Sequence, residues 1–377
     1  MVKKVAIVTT GHPPMDERIF WKFGLSLSDN NFDVEIICST DKIQIHRDGI
    51  FISGFDGSKL EKRLKIMKLY DMLQDFSPDA IICSEPLAVF SARKFKMKAG
   101  KKIFIILDVT EWYPENVAFK YTGIKRYFLF TTLFLLNVVA SNLVDQIIIG
   151  EISKRKRYDI IAPGKPKTII GYYPVLKYFK YSTPKYNGKK LILCYAGLLN
   201  FDRGLLTLLD IARLLAERQP QLEIKVKIIG KFPNESDEKM FDEIIKKDSS
   251  IFVERSNWVD YDKISAELED TDICFDLRKK SFIYNNSLPI KIFEYMACGK
   301  PFIFTKIKPL EKELNIMESG FLVDPENQSE IISKIENYLS DPDLFKKHSE
   351  VGRHIIESEK NWEKESEKLI HMIKSLS

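Results

Sequence analysis

This sequence predicts an α/β protein of two Rossmann-like domains facing across a cleft, and three observations carry that prediction. Short apolar runs alternate with helix-length segments from end to end. The alternation breaks once, in a polar stretch punctuated by Pro184 and Gly188, and then resumes. A chain of 377 residues is too long for one ordinary core and suits two α/β domains of roughly 150–200 residues each.

In the first half the strand candidates are 4–9, 32–38, 80–83, 102–107, 146–150 and 168–171, with helical segments at 16–29, 59–75 and 86–98. This is the βαβ rhythm of a parallel, doubly wound sheet. After the linker, strands fit 191–196, 223–229, 251–253, 272–275, 301–305 and 320–323. Helices fit 204–217, 235–247, 263–268, 290–297 and 329–339. The expected domains are 1–176 and 177–356. A charged amphipathic helix over 357–377 is expected to pack back on the first domain. Ligands in such folds lie at the carboxyl ends of strands.

Composition narrows the class. Hydrophobic residues at 45% and charged residues at 29% describe a globular chain, not a disordered one. The five cysteines (Cys38, Cys83, Cys194, Cys274 and Cys298) are odd in number and unpatterned. Four lie in apolar strand segments, which points to reduced thiols and a cytoplasmic protein. Among the Cys and His residues no spacing suggests a zinc site. The basic excess belongs to the first half: residues 1–176 hold 26 Lys and Arg against 19 Asp and Glu. Such asymmetry suits an anionic partner, and with no nucleic-acid motif present an anionic membrane surface is the candidate. The most apolar stretch, 127–140, falls short of a spanning helix and reads as a helix packed on a sheet. With Lys120, Lys125 and Arg126 just before it, part of it is expected to touch lipid.

The most specific segment runs from Asn286 through Ser287, Leu288, Pro289, Ile290 and Lys291 to Glu294-Tyr295-Met296-Ala297. Pro289 marks a helix start, and Gly299 marks its end. First-turn amides of a helix form an anion site. A lysine at the positive end of a helix dipole is better placed if an anion binds there. Glu294 lies one turn on, on the same face, where a carboxylate can accept from two vicinal hydroxyls. Its side chain is expected to face solvent in the free protein. The alternative is a solvated Lys–Glu pair on a surface helix.

This segment resembles the donor-binding signature of family 4 retaining glycosyltransferases, which have the two-domain fold called GT-B. Other landmarks resemble the same family in order: Gly11-His12-Pro13, then Asp16-Glu17-Arg18-Ile19-Phe20, then Asp108-Val109-Thr110-Glu111-Trp112. Tyr195-Ala196-Gly197, Arg203-Gly204-Leu205 and Ile228-Ile229-Gly230 follow. The resemblance implies a nucleotide diphosphate-sugar donor, UDP- or GDP-linked, as substrate, with no cofactor and no metal. It implies a glycan or lipid-linked saccharide acceptor in cell-surface polysaccharide synthesis. Arg203 and Lys291 would neutralise the leaving diphosphate, Glu294 would hold the ribose, and Gly197, Gly230, Trp258 and Val259 would complete the donor site. Gly11, His12, Arg18, Asp108 and Thr110 would face the acceptor, with Glu111 orienting its hydroxyl.

Two positions depart from the family. Eight before Glu294, where a second glutamate is common, stands Asn286, and Thr110 stands where a histidine is frequent. An amide still bonds a sugar hydroxyl but carries no charge. These departures keep a non-catalytic glycan-assembly protein as an alternative. A nicotinamide-dependent oxidoreductase is the further rival, but Gly11-His12-Pro13-Pro14 lacks the Gly-x-Gly-x-x-Gly turn. Asp260-Tyr261-Asp262 has the spelling of a metal motif but reads better as a helix cap. Trp258 reads more simply as a core residue than as a stacking platform.

Overall fold

Where Val, Ile and Cys run together the chain forms strands, and they assemble into two sheets. The computed structural model describes residues 2–247 and 250–376. The chain divides into two units. One runs through Tyr172 and regains the chain from Trp362 onward; the other is Tyr173–Asn361.

The first unit holds β1 (Lys4–Thr9), β2 (Asp33–Cys38), β3 (Ile43–Arg47), β4 (Ile50–Gly54), β5 (Ala80–Cys83), β6 (Phe104–Val109), β7 (Gln146–Ile149) and β8 (Lys167–Ile169). Their order is β3-β4-β2-β1-β5-β6-β7-β8. Val5 to Thr9 are all buried, as a central parallel strand covered on both faces requires. The order reverses between β1 and β5, so their carboxyl ends open a crevice.

One hairpin lies outside the sequence expectation. β3 runs antiparallel to β4, so the sheet is mixed and not wholly parallel. Asp48 and Gly49 turn it, with φ of 48° and 79°. That is the Asp-Gly signal of a two-residue hairpin. β3 is exposed over its middle and lies at the sheet edge, with a strand neighbour on one side only, so no continuous apolar run marks it.

The second unit holds β9 (Lys190–Ala196), β10 (Glu223–Ile229), β11 (Phe252–Ser256), β12 (Ile273–Asp276), β13 (Phe302–Thr305) and β14 (Gly320–Val323). The order is β11-β10-β9-β12-β13-β14, with its reversal between β9 and β12. Its pairs are parallel throughout. A helix absent from the expectation, Pro342–Ser358, opens on an Asp341 cap that accepts from the Asp343 and Leu344 amides.

The unit boundaries differ from those expected at 176 and 356. Tyr173 meets Phe293 edge to face at 5.0 Å, and the Val175 amide donates to the Tyr261 hydroxyl at 3.1 Å. Both contacts bind that segment to the second unit. So does Arg353, which donates to the Phe179 and Ala297 carbonyls. The helix Trp362–Ser375 belongs to the first unit. Trp362 Nε1 donates to Ser26 Oγ at 2.8 Å, its ring stacks on Phe23, and the Gly171 amide donates to Glu365 at 2.7 Å.

Candidate functional site

Two clusters form at the carboxyl edges of the sheets, one in each unit, and each is described separately.

In the second unit, Gly197 directly follows β9 and Gly230 directly follows β10, with φ of 144° and 141°. A Cβ on Gly230 would lie 1.8 Å from the Gly197 carbonyl oxygen, so the two strand ends pack backbone on backbone. A Cβ on Gly197 would lie 2.7 Å from Lys291 Cε. The lysine stem therefore passes directly over the strand end, which only glycine allows.

Lys291 comes from the helix Ile290–Ala297, with Pro289 at its N-cap. Tyr295 pins this helix to β9: its hydroxyl accepts from the Ala196 amide at 2.9 Å and donates to the Ala196 carbonyl at 3.2 Å. The first-turn amides have no partner within the helix, by helix geometry, and Lys291 of that same turn lies against the end of β9.

Lys291 Nζ donates to Glu294 at 3.2 Å. The pair is not the solvated one the sequence allowed, nor does Glu294 face solvent: it is 2% exposed. Helix packing brings it inward, because Ile292, Phe293, Tyr295 and Met296 are all core residues. The lysine at the helix start thus already has a carboxylate partner, whatever else binds there.

Arg203 ends a single 3₁₀ turn, Phe201–Arg203. It is half-buried, 5.9 Å from the Tyr284 ring centre. Burial opposes its charge, but Tyr195, Asp276 and Tyr284 more than restore it, and its pKa is raised. On the other strand of the reversal, Arg278 follows β12, also faces Tyr284 at 5.2 Å, and forms a buried two-point pair with Asp276. Arg278 and Tyr284 escaped the sequence reading. The available signal was Asp276-Leu277-Arg278 at the end of a buried strand.

Other donor-side candidates scatter. Trp258 is 54% exposed, with the Lys231 ammonium 5.2 Å from its ring, so it is not a core residue. Val259 is the member of that loop that packs on the core. Asn286 Nδ2 donates back to the Phe282 carbonyl at 2.7 Å. Ser287 caps that short helix and Leu288 packs on the core. Asp260 and Asp262 do not cap the next helix; its N-cap is Lys263, with no side-chain bond.

In the first unit, the loop after β1 is organised by Glu85, a residue the sequence reading missed. Its carboxylate accepts from Thr9 Oγ1 at 3.0 Å, the Thr10 amide at 2.7 Å and the Gly11 amide at 3.0 Å. Glu85 stands one residue beyond Ser84 at the end of β5, where the sheet order reverses. The close approach that Gly11 permits is therefore made by Glu85 itself.

His12 lies between acids: Nδ1 is 3.6 Å from Asp16 and Nε2 is 3.8 Å from Glu85. Burial opposes its charge, but the Asp16 hydrogen bond and the charges of Asp16, Glu85 and Glu111 raise its pKa to about 9. At neutral pH it is an imidazolium. Glu111 accepts from Asn116 Nδ2 and, with His12, Glu85 and Tyr113, lines a pocket of about 310 Å³. Thr110 lies beside a smaller recess, and its carbonyl accepts from Lys154 at 2.6 Å.

Arg18 and Asp108, expected on the acceptor side, are instead committed to one another. Arg18 Nε and Nη2 donate to the two Asp108 oxygens at 2.6 and 2.8 Å, and Nη1 and Nη2 also reach the Gly171 and Ile170 carbonyls at 3.1 Å each. Both side chains are buried. The fork ties the first helix to the ends of β6 and β8, a structural task that uses every planar direction of the guanidinium.

Comparison with known proteins bears on the fold and on the second unit. Residues 181–362 match the family described as glycosyl transferases group 1. A glycosyltransferase of Haemophilus influenzae is 22% identical over 369 residues, covering 93% of this chain and 95% of the relative. Among solved structures, sucrose-phosphate synthase from Thermosynechococcus elongatus superposes with a TM-score of 0.76 at 14% identity, covering 99% of both chains. Anabaena HepE, solved with UDP-glucose, does so with a TM-score of 0.73 at 14% identity, again over 99% of each. This chain has the GT-B fold, and within its second unit residues 181–362 match the group 1 glycosyltransferase family.

Proposed function

We propose that this chain transfers a sugar from a nucleotide diphosphate-sugar, UDP- or GDP-linked, to a hydroxyl of a glycan or lipid-linked oligosaccharide, with retention at the anomeric carbon. One observation carries the reading. Gly197, Lys291 and Glu294 converge where the helix Ile290–Ala297 opens on the end of β9. The helix amides and Lys291 suit a diphosphate, and Glu294, freed from Lys291 by that anion, suits a ribose diol. HepE has been solved with UDP-glucose and with UDP and glucose, which supports a UDP-linked donor. Buried, unpaired cysteines support a cytoplasmic setting, as expected for a step in cell-surface polysaccharide assembly.

Replacing Glu294 by glutamine tests the donor site. The amide keeps the size of the side chain and one acceptor but loses the charge. A hydrogen bond to a charged group is worth about 1.5–3 kcal/mol, so affinity for the nucleotide is expected to fall by roughly tenfold or more. Titration calorimetry reads this directly. Parent-like affinity would place the nucleotide elsewhere. Glu294→Ala is a poorer probe, because it leaves the half-buried Lys291 without its carboxylate.

The charges assigned to the diphosphate are Arg203, Lys291 and helix amides. Transfer is therefore expected to survive excess EDTA. Complete loss, restored by magnesium or manganese, would sink this mechanism. The non-catalytic alternative draws on Asn286, whose amide turns back onto Phe282; slow release of free sugar from the donor, measured without acceptor, separates the two.

A further inference from the structure

One helix of the first unit carries its apolar side outward. The segment Gly123–Leu143 is longer than the apolar stretch suggested and, by length and composition alone, long enough to cross a membrane. It does not lie as a spanning helix would, because it connects β6 to β7, parallel neighbours in one sheet. Both its ends are thereby tied to that sheet.

Its inward stripe is narrow: Leu133, Asn137, Ala140 and Ser141. Only 17% of its most apolar 18 residues are buried. The outward stripe includes Ile124, Phe128, Leu135 and Val139, at helical spacing, with Tyr127 beside them. Phe128 is 75% exposed and Ile124 88%. The outward face of a helix packed on a sheet ordinarily carries charge. The only charged residues in this helix are Lys125 and Arg126, in its first turn. Each lies over an aromatic ring, Lys125 over Tyr121 at 4.2 Å and Arg126 over Phe119 at 4.0 Å.

We propose that this face seats in the headgroup–acyl boundary of an anionic lipid surface. The chemistry matches in three ways. The stripe extends along most of a helix roughly 31 Å long, far more apolar length than one side-chain pocket needs. Its basic residues and aromatic rings gather at one end, the pairing that favours a membrane interface. No acidic residue interrupts it, and residues 1–176 carry the basic excess of the chain, as attraction to anionic lipid requires. The pocket beside His12 and Glu111 includes Leu136 of this same helix. Resting on the transfer reading above, this names the acceptor as an amphiphile that keeps its tail in the membrane while its sugar enters that pocket.

Sedimentation of the full chain with phosphatidylcholine vesicles, with and without phosphatidylglycerol, tests the proposal. The chain is expected to co-sediment with the anionic vesicles and to be released by salt. Phe128→Glu combined with Leu135→Glu should lower partitioning at least roughly tenfold. Lys125→Ala with Arg126→Ala should abolish the preference for anionic over neutral vesicles by a similar factor. Both variants should keep the parent's melting temperature and nucleotide affinity, which separates lost docking from lost folding. No co-sedimentation of the parent at low salt overturns the proposal. So does a glutamate variant that sediments like the parent. A dimer in sedimentation equilibrium that the glutamates split, with no vesicle binding, makes a second copy the occupant and also overturns it. Donor hydrolysis in lipid-free buffer is an independent readout: its absence with vesicle binding intact would sink the transfer reading and leave this one standing.

Discussion

Arg203→Ala is expected to lower turnover by roughly 10²–10³-fold, the range for removing one preorganised donor from a developing charge. The residue ends the turn after β9, where Tyr195, Asp276 and Tyr284 hold its guanidinium charged. Under the proposed mechanism the diphosphate gains charge as its bond to the sugar breaks. An interaction that strengthens at that moment acts on kcat more than on donor binding. Steady-state rates and nucleotide titration, run on the same preparation, make the comparison. Arg203→Lys should recover part of the loss, since it keeps the charge but not the fork. Equal losses in affinity and in kcat/KM would demote Arg203 to a ground-state contact. An unchanged kcat would remove it from the mechanism.

The second large effect concerns stability. Asp108→Ala leaves the buried Arg18 guanidinium with two carbonyls and only the weaker influence of Asp16 as counter-charge. Breaking such a pair from one side costs about 3–5 kcal/mol. The transition of the first unit should therefore shift to markedly lower temperature in calorimetry, while the second unit's transition stays in place. Asp108→Asn, which keeps an acceptor, should cost less. If the alanine variant melts like the parent, solvent must already reach the pair, contrary to their burial of 3% and 2% exposure. A loss of activity in this variant that tracks the loss of folded protein would mark the pair as structural.

Strand positions were legible where apolar runs are continuous. β1 and β5 fall on the expected residues because a doubly covered parallel strand is continuously apolar; β10 and β14 also fall on the expected residues, although neither is apolar and buried throughout. β3 was not legible, since its burial is that of an exposed edge. At the donor side, the Lys291–Glu294 spacing announced a shared helix face. It did not say which way that face turns, because the burial of Glu294 follows from tertiary packing around Tyr295. Arg18 and Asp108 show the complementary failure. Both sit at motif positions near strand ends, and only the fold reveals that 90 residues of separation close into one fork. Glu85 was invisible for a simpler reason: its partners are the Thr10 and Gly11 amides and two threonine hydroxyls some 75 residues away, a grouping with no local sequence signature.

The first unit is also the last to be completed. Its closing helix lies nearly two hundred residues downstream, with Glu365 on the Gly171 amide and Trp362 on Phe23 and Ser26. On a ribosome, the residues through Tyr172 emerge well before that helix exists. Until it arrives, the Phe23 ring and the Gly171 amide lack the partners that the finished protein provides. The second unit has no such wait: its segment is contiguous, and its sheet can close while the other still stands open. Folding of this chain is therefore completed from the middle outward: the second unit can close first, and the first unit is sealed when the helix Trp362–Ser375 docks.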